Sequence, residues 1–308
     1  MHLIGPKLGA PFSAPRLTRI VSKVEVERKF NLGPKFVSVF LSEEWAHSQA
    51  RYRQVYNNQS GGPSFTVVKQ PGQIIRDIYY DTQNEQLSAL GLWVRQRHVR
   101  YFPLSSSQEM NDNCCEAATK PGSATVEDHS HKAQWNAKLR FGGHFNDSEF
   151  VEIDGEKNVS DEVLRITGSK TRLEDLQVVT DLQTKRRSWE VSQLADGTTP
   201  SAKMTIVMDD VTEAEAEAEA MSKNGGLGRS AFTHTIGEVE LFQEFTTVGK
   251  DMEEHETERK KIAALRMEEL KEFMLANTSL FAMTPRPIGK LTAYDTWKRS
   301  LAIANTRR

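Results

Sequence analysis

The sequence predicts an α+β protein, mainly antiparallel β, in which eight strands close into a barrel and helices pack against its outside. Eight segments alternate between apolar and polar residues, and turn- or loop-rich stretches separate them, as in a sandwich or a barrel. Several of these segments carry charge on one face and apolar residues on the other. A sheet that closes with its charged faces inward, under an outer layer of helices, accounts for both observations.

The eight strand candidates are short and follow one another along most of the chain. In chain order they are Lys23–Phe30, Ile74–Asp81, Leu92–Arg100, Gln134–Phe141, Glu149–Asp154, Leu182–Val191, Lys203–Asp210 and Thr235–Phe242. Since residues two apart in a strand share a face, the alternation also predicts which side chains point to the same side of the sheet.

Helical periodicity is weaker than the strand pattern, with one exception. Pro34–Gln49 and Asp161–Leu176 are helix candidates, and Asp161 can serve as the N-cap of the second. Asp251–Ala276 is the strongest candidate. Its predicted apolar side consists of Ile262, Leu265, Leu270, Phe273 and Met274.

One domain is predicted over residues 23–300, with a flexible leader at 1–22 and a tail at 301–308. The leader is basic and has no acidic residue before Glu25, as in a mitochondrial transit peptide, but its three prolines favour a disordered tail. Two stretches near 102–131 and 212–229 lack strand periodicity and are interpreted as loop inserts.

Composition limits the classes of function. The 308 residues carry 40 basic and 42 acidic side chains, and this balance argues against a broad nucleic-acid-binding surface. No apolar run is long enough to cross a bilayer. From the charge balance we therefore expect no nucleic-acid partner, and from the lack of such a run we expect no membrane partner. The adjacent Cys114 and Cys115 are interpreted as free thiols in a reducing compartment. We expect a cytoplasmic monomer, with a mitochondrial location as the alternative that the leader leaves open.

Acidic residues share one face in the first and in the last strand candidate. Glu25, Glu27 and Lys29 lie together in the first, and Glu238 and Glu240 lie together in the last. Other strands carry basic or mixed polar faces. These faces are Trp93, Arg95 and Arg97 in the third candidate, Asn136, Lys138 and Arg140 in the fourth, and Thr205, Val207 and Asp209 in the seventh.

A charged strand face is commonly just the solvated side of a sheet. Here the opposite faces are apolar enough to need cover, which favours a barrel with a charged interior over the usual apolar one. Buried charge is costly unless a ligand of opposite charge is bound. Clustered carboxylates favour Mg²⁺, with Mn²⁺ as the alternative, and clustered Lys and Arg favour phosphate oxygens. The predicted ligand is therefore a metal–polyphosphate complex.

The strand motifs resemble a known family. Glu25-Val26-Glu27-Arg28-Lys29 is similar to the Glu-x-Glu-x-Lys signature of the CYTH superfamily, also called triphosphate tunnel metalloenzymes. The segments that follow in the family's order are Arg76-Asp77-Ile78-Tyr79-Tyr80-Asp81-Thr82, Trp93-Val94-Arg95-Gln96-Arg97, Thr184-Lys185-Arg186-Arg187-Ser188-Trp189, Gly237-Glu238-Val239-Glu240 and Gly289-Lys290-Leu291. The resemblance spans roughly residues 23 to 300 and implies an eight-stranded tunnel open at both ends.

The resemblance also implies roles for single residues. The metal would be held by Glu25, Glu27, Asp209, Glu238 and Glu240. Phosphate oxygens would be bound by Lys29, Arg95, Arg97, Lys138, Arg186 and Lys290, and the catalytic set would be Lys29, Arg95, Arg97 and Glu152. Alternation favours Asp209 over Asp210 and Arg186 over Arg187, although Asp210 stays open as the ligand. For Glu152 the alternative role is that of an ion-pair partner.

The segments look most like the eukaryotic thiamine triphosphatase branch, which implies hydrolysis of thiamine triphosphate to thiamine diphosphate and phosphate. Asn136-Ala137-Lys138-Leu139 departs from the Glu-Leu-Lys-Cys-like run of that branch. A hydrolase of inorganic tripolyphosphate or of nucleoside or RNA 5′-triphosphates is the first alternative. A member that does not hydrolyse its ligand, either an adenylyl cyclase or a polyphosphate-binding module, is the second.

Trp93 bears on the choice among these substrates. It shares a face with Arg95 and Arg97, so its indole would enter the cavity and could stack on a cationic ring such as thiamine. The alternative is that Trp93 packs at the rim.

The expected reaction is in-line attack of water on the terminal phosphorus, which needs positioning and charge neutralisation rather than a nucleophilic side chain.

Overall fold

Eight long antiparallel strands form a closed barrel in the computed structural model of the chain. The structure describes residues 19–42, 53–56, 64–102, 133–144, 146–194, 196–197, 200–214 and 231–306. The barrel strands are β1 (Arg19–Leu32), β4 (Gly72–Asp81), β5 (Leu92–Phe102), β6 (Gln134–Gly143), β7 (Asp147–Asp154), β8 (Gln177–Gln193), β9 (Lys203–Glu213) and β10 (Thr233–Val248). They follow the order β8-β4-β5-β6-β7-β1-β10-β9, and pairing of β8 with β9 closes the sheet.

Each of the eight predicted strands is present, and the predicted fold class is confirmed. Three short strands extend the sheet beyond the barrel: β2 (Arg53–Tyr56) pairs with β3 (Phe65–Lys69), β3 pairs with β8, and β11 (Phe281–Ala282) pairs with β1. Most barrel strands are longer than predicted, because pairing continues past the region of clear alternation. β1 begins at Arg19, ahead of the predicted start at Lys23.

Alternation along the strands separates a charged interior from an apolar exterior. On β1, the fully buried Val24, Val26 and Phe30 face outward, while Glu25 and Glu27 face the barrel interior. The outward side chains join residues of β8, β9 and β10 in the largest hydrophobic core, which lies outside the barrel. The barrel is thus inverted relative to small barrels that fill their interior with apolar side chains.

Helix α4 (Met252–Ala276) covers this external core. It begins where the sequence predicts, because the Asp251 side chain caps it by accepting a hydrogen bond from the Glu254 backbone N–H at 2.8 Å. Its buried side includes Leu270, Phe273 and Met274. The assignment of Leu265 to this side is wrong, since that side chain is 59% exposed.

Two other predicted helices have different bounds. Helix α1 is Pro34–Phe40, and residues 43–49 of the predicted Pro34–Gln49 lie outside the described residues. Helix α3 is Glu156–Ile166, so the predicted start at Asp161 is wrong. The chain enters α3 through Gly155 at a positive φ of 89°, and Asp161 instead pairs with Lys157 one turn earlier.

The segment after α3 is not a continuation of the helix. Gly168 and Ser169 both have positive φ and break it, and a short 3₁₀ turn follows at Leu173–Asp175. The short helix α2 is Gln86–Ala89. Most of the two predicted inserts, together with Cys114 and Cys115, lies outside the described residues.

Helix α5 (Lys290–Thr306) packs at one mouth of the barrel. The Tyr294 ring contacts the Phe232 ring edge to face, with centroids 5.1 Å apart, in a small core shared with Tyr79 of β4. This packing fixes the start of the helix, so that Lys290 and Leu291 line the barrel interior. Within the described part of the chain, no helix combines the length and the apolar character of a membrane span.

Candidate active site

A cavity of about 430 Å³ lies inside the barrel. Of the side chains predicted to form the site, all except Asp209 line it. Those that line it are Glu25, Glu27, Lys29, Trp93, Arg95, Arg97, Lys138, Glu152, Arg186, Glu238, Glu240 and Lys290. They come from six strands and from helix α5, so closure of the sheet is what brings them together.

Three carboxylates form the acidic centre of the cavity. Each of Glu25, Glu27 and Glu240 offers an oxygen atom within 4.8 Å of the other two. Glu27 and Glu240 are direct partners in the β1–β10 register, which places their side chains side by side. Since all three are largely buried, their charges have little access to solvent.

The pKa values of the three carboxyls differ because their cationic neighbours differ. Burial, with the nearby Glu152 and Glu240 carboxylates, raises the pKa of Glu25 to about 8 despite Lys138. Burial also raises the pKa of Glu240 to about 7, with Arg186 opposing. Burial alone would raise the pKa of Glu27 too, but Lys29 and Lys138 outweigh burial and lower this pKa to about 2.

Two lysines neutralise part of this acidic centre. Lys138 Nζ lies 2.8 Å from the Glu25 carboxylate and 3.4 Å from that of Glu27. Lys29 pairs with Glu27 and lies 3.4 Å from Glu238. Burial alone would lower the pKa of both ammonium groups, but the surrounding carboxylates raise it, so both lysines stay charged.

A second charged group lies on β4, β5 and α5. The Arg97 guanidinium donates two hydrogen bonds to the buried Asp77 carboxylate, whose Oδ2 also lies 3.4 Å from Lys290 Nζ. Arg95 donates from Nε to Asn136, and its buried Nη2 has no hydrogen-bond partner among the described residues. A buried guanidinium N–H without a partner is costly, and a ligand oxygen would relieve that cost.

Arg186 lies beside the acidic centre and is held by Asp209. It donates to both oxygens of Asp209, at 2.7 and 2.8 Å, and lies 3.6 Å from Glu240 and 4.0 Å from Glu238. Burial would raise the pKa of Asp209, but Arg186 lowers it. Asp209 is 1% exposed and lies apart from the Glu25, Glu27 and Glu240 cluster. Its role as a metal ligand stays a prediction.

Strand alternation selects the inward member of each adjacent pair. Arg186 lines the cavity, whereas Arg187 pairs with Asp210 at 3.3 Å. Asp210 also accepts a hydrogen bond from Thr235. Asp209, in contrast, accepts from Arg186, which lines the cavity. Glu152 lines the cavity and lies 4.0 Å from Arg95, a distance that fits its alternative role as an ion-pair partner.

Trp93 is half-buried and lines the cavity. Phe150 contacts its ring edge to face, with centroids 5.8 Å apart and planes at 83°. The guanidinium carbon of Arg140 lies 5.3 Å from the Trp93 ring centroid, a cation–π contact. The indole is therefore inside the cavity, and one cation already lies over it.

Sequence reasoning assigned no role to several side chains of the site. Asp77, Tyr79, Arg140, Phe150 and Lys203 all line the cavity or contact a lining residue. The signal for them was present, since each lies an even number of residues from a predicted or inward-facing position on its own strand. Extending the alternation of Ile74–Asp81 would have identified Asp77 and Tyr79 as inward.

The donor atoms of the acidic centre are suited to a hard divalent cation. The cluster contains carboxylate oxygens only, the ligand type that Mg²⁺ and Mn²⁺ take in proteins. Two of its three carboxyls have raised pKa values, because they are buried and, to a lesser extent, because other carboxylates lie close to them. These residues thus fit a divalent cation, and metal binding would displace protons from them.

The fold and the cavity define a class of protein, a closed antiparallel barrel whose interior consists of charged side chains rather than an apolar core. The CYTH domain model matches residues 55–270, more than half of the chain, and the protein therefore belongs to the CYTH domain family. Members of this family act on small triphosphate substrates and depend on a metal. The matched range includes β4 to β10, while β1 with Glu25, Glu27 and Lys29 lies before it.

Comparison with solved structures finds distant similarities at 12% sequence identity. A proposed adenylyl cyclase from Hippeastrum with a dominant triphosphatase activity has a TM-score of 0.40, over 89% of this chain and 95% of that one. A protein from Pyrococcus horikoshii has a TM-score of 0.29, over 80% of this chain and 89% of that one. A proposed adenylate cyclase from Bacillus halodurans has a TM-score of 0.31, over 80% of this chain and 91% of that one. A search of curated proteins finds no match.

Proposed function

We propose that this protein is a divalent-metal-dependent hydrolase that cleaves the terminal phosphate from a small triphosphate. The observation that carries the proposal is that the cluster of three carboxylates and all six predicted phosphate-binding cations line one cavity of the barrel. The cations are Lys29, Arg95, Arg97, Lys138, Arg186 and Lys290. A triphosphate with its metal supplies charge of both signs and would compensate both sets.

Within this proposal Glu25, Glu27 and Glu240 hold the metal. The other two predicted ligands, Asp209 and Glu238, are not members of this cluster and are paired with Arg186 and Lys29. To become a metal ligand, each carboxylate would have to leave its basic partner. Phosphate oxygens of the substrate would then pair with Arg186 and Lys29 instead. The bound cation would neutralise phosphate charge and favour attack by water.

The basic side chains hold and orient the phosphate chain. Arg95 presents Nη2, which has no hydrogen-bond partner among the residues that the structure describes, and Arg97 is held in place by Asp77. Two planar guanidinium groups on one strand suit the forked geometry of phosphate oxygens. Glu152, beside Arg95, is the carboxylate proposed to orient the attacking water.

Thiamine triphosphate and inorganic tripolyphosphate are the two candidate substrates. Trp93 inside the cavity favours the first, because an indole attracts the cationic thiazolium ring. Arg140 over the same indole favours the second, because it already places a positive charge there. Trp93→Ala separates them: stacking predicts a loss of roughly ten-fold in kcat/KM for thiamine triphosphate only, whereas equal losses for both substrates would remove stacking from the mechanism.

Phosphate release is the decisive assay. Thiamine triphosphate, inorganic tripolyphosphate, ATP and a 5′-triphosphorylated RNA would each be supplied with Mg²⁺ or Mn²⁺, and ATP products would be separated to detect a cyclic nucleotide. Lys138→Gln removes a cavity cation, and Lys157→Gln, an exposed lysine paired with Asp161, is the matched control. We expect metal-dependent phosphate release that only Lys138→Gln abolishes. Binding without release, or a cyclic product, would contradict the proposal.

A further inference from the structure

Arg140 stands where the barrel cavity meets a second pocket. Among the described residues, Arg140 is the one that lines both, and the second pocket also has a volume of about 430 Å³. The other described residues of this pocket are Phe141, Gly142, Gly143, His144 and Arg286. Among the described lining residues there is no carboxylate, so an anionic group that extends past Arg140 meets a basic surface.

The position of Arg140 also limits what Trp93 can bind. Its guanidinium lies 5.3 Å from the indole centroid, and Phe150 contacts the indole from another side. A cation–π contact draws on the negative face of the ring. A second cation stacked on the same indole would therefore share the same π system and be repelled by the guanidinium.

We propose that Arg140 is a specificity-determining residue that selects substrates whose far end, beyond the cleaved phosphate, is anionic rather than cationic. The favoured class is linear inorganic polyphosphate of three or more phosphates, and thiamine triphosphate is disfavoured. This inference rests on the proposed triphosphate hydrolysis and adds to it the residue that sets substrate preference. Arg140 acts through its charge beside Trp93, where the cavity adjoins the second pocket.

The test compares kcat/KM for inorganic tripolyphosphate with kcat/KM for thiamine triphosphate. The wild-type protein should prefer tripolyphosphate. Arg140→Gln should shift the ratio toward thiamine triphosphate by about five-fold, the size expected for one cation–π and charge interaction. Arg76→Gln is the matched control, because Arg76 is a half-exposed arginine that pairs with Asp181; its ratio should not change.

The outcomes are distinct. A wild-type preference for thiamine triphosphate, or a ratio in Arg140→Gln within two-fold of wild type, would overturn the proposal. Should Arg140→Gln fail to fold, Arg140→Met keeps an unbranched side chain against Trp93 and tests the same loss of charge. Arg140→Lys keeps the charge and should retain most of the wild-type preference.

Failure of the proposed function can be told apart from failure of this inference. If neither substrate is hydrolysed with Mg²⁺ or Mn²⁺, the proposed hydrolysis fails. Titration calorimetry in EDTA then measures Kd for tripolyphosphate and for thiamine triphosphate directly. A Kd ratio that moves by about five-fold in Arg140→Gln, and not in Arg76→Gln, supports the role of Arg140; an unchanged Kd ratio overturns it.

Discussion

The carboxylate of Asp77 accepts two hydrogen bonds from the guanidinium of Arg97, from Nε at 2.7 Å and from Nη2 at 2.8 Å. Its Oδ2 also lies 3.4 Å from Lys290 Nζ and 3.8 Å from Arg95 Nη1. Burial would raise the pKa of Asp77, but these cations hold it well below its usual range. One fully buried anion thus holds three cations of the cavity, contributed by β5 and α5.

Asp77→Asn should destabilise the protein by about 3 kcal/mol or more, because it leaves buried cations without their countercharge. Asp181→Asn is the matched control: Asp181 pairs with Arg76 through the same two guanidinium nitrogens, but Arg76 is half-exposed. That change should cost about 1 kcal/mol or less. Urea unfolding measures both, and equal losses would show that Asp77 has no special role.

We also expect KM for tripolyphosphate to rise in Asp77→Asn, since Arg97 is no longer held in position.

Added Mg²⁺ should raise Tm, and EDTA should reverse the rise, because a cation that binds only the folded state stabilises it. A concentration 100 times Kd corresponds to about 2.7 kcal/mol. Glu240→Gln removes one member of the carboxylate cluster and should shrink this gain. Glu149→Gln, on β7 but outside the cavity lining, should keep it. A gain that is the same in all three proteins would place the cation elsewhere.

The metal-free protein should lose stability as pH rises from about 4.5 to about 8. The pKa values of Glu25 and Glu240 are raised to about 8 and about 7 from 4.5, so in this window the folded state binds more protons than the unfolded state. Below pH 4.5 the direction reverses, because Glu27, Asp77 and Asp209 have lowered pKa values and their contribution is lost on acidification. Stability is therefore expected to be highest near pH 4.5.

The midpoints of urea unfolding, measured in EDTA at pH 5.5 and at pH 8.5, show how stability changes with pH above its expected maximum. His255 acts in the opposite direction, because burial lowers its pKa from 6.5, so the comparison with Glu25→Gln isolates the carboxylate effect. The variant should lose less stability between the two pH values than the wild type. A wild-type midpoint that rises toward pH 8.5 would refute the assignment of protonated carboxyls.

Gly237→Ala should destabilise the fold by about 1–3 kcal/mol through overpacking. An added Cβ would overlap the Phe30 ring, which is held between Phe36 and Phe281 at centroid distances of 5.2 and 4.9 Å. Gly33→Ala places its Cβ 3.9 Å from Ala282, an ordinary contact, and should cost much less. Thermal unfolding compares the two, and a loss at Gly237 no larger than at Gly33 would mean that the Phe30 ring can move aside.

Much of the fold followed from local pattern. Each predicted barrel strand was found, and α4 begins at the predicted position, next to its cap Asp251, because strand alternation and N-capping are properties of a few adjacent residues. The start of α3 was wrong because Asp161 satisfies the same capping rule inside a helix that begins at Glu156. A local signal shows where a helix can start, and packing of Val159 and Val163 decides where it does.

The sequence by itself determined which side chains face the interior, including Arg186 rather than Arg187, because a two-residue period is written in every strand. Only the tertiary structure decided which of them meet. Lys138 bonds to Glu25 across 113 residues of chain, and Lys290 reaches Asp77 across 213. Such pairs depend on strand order and register around a closed barrel, and the alternation of a single strand carries no information about either.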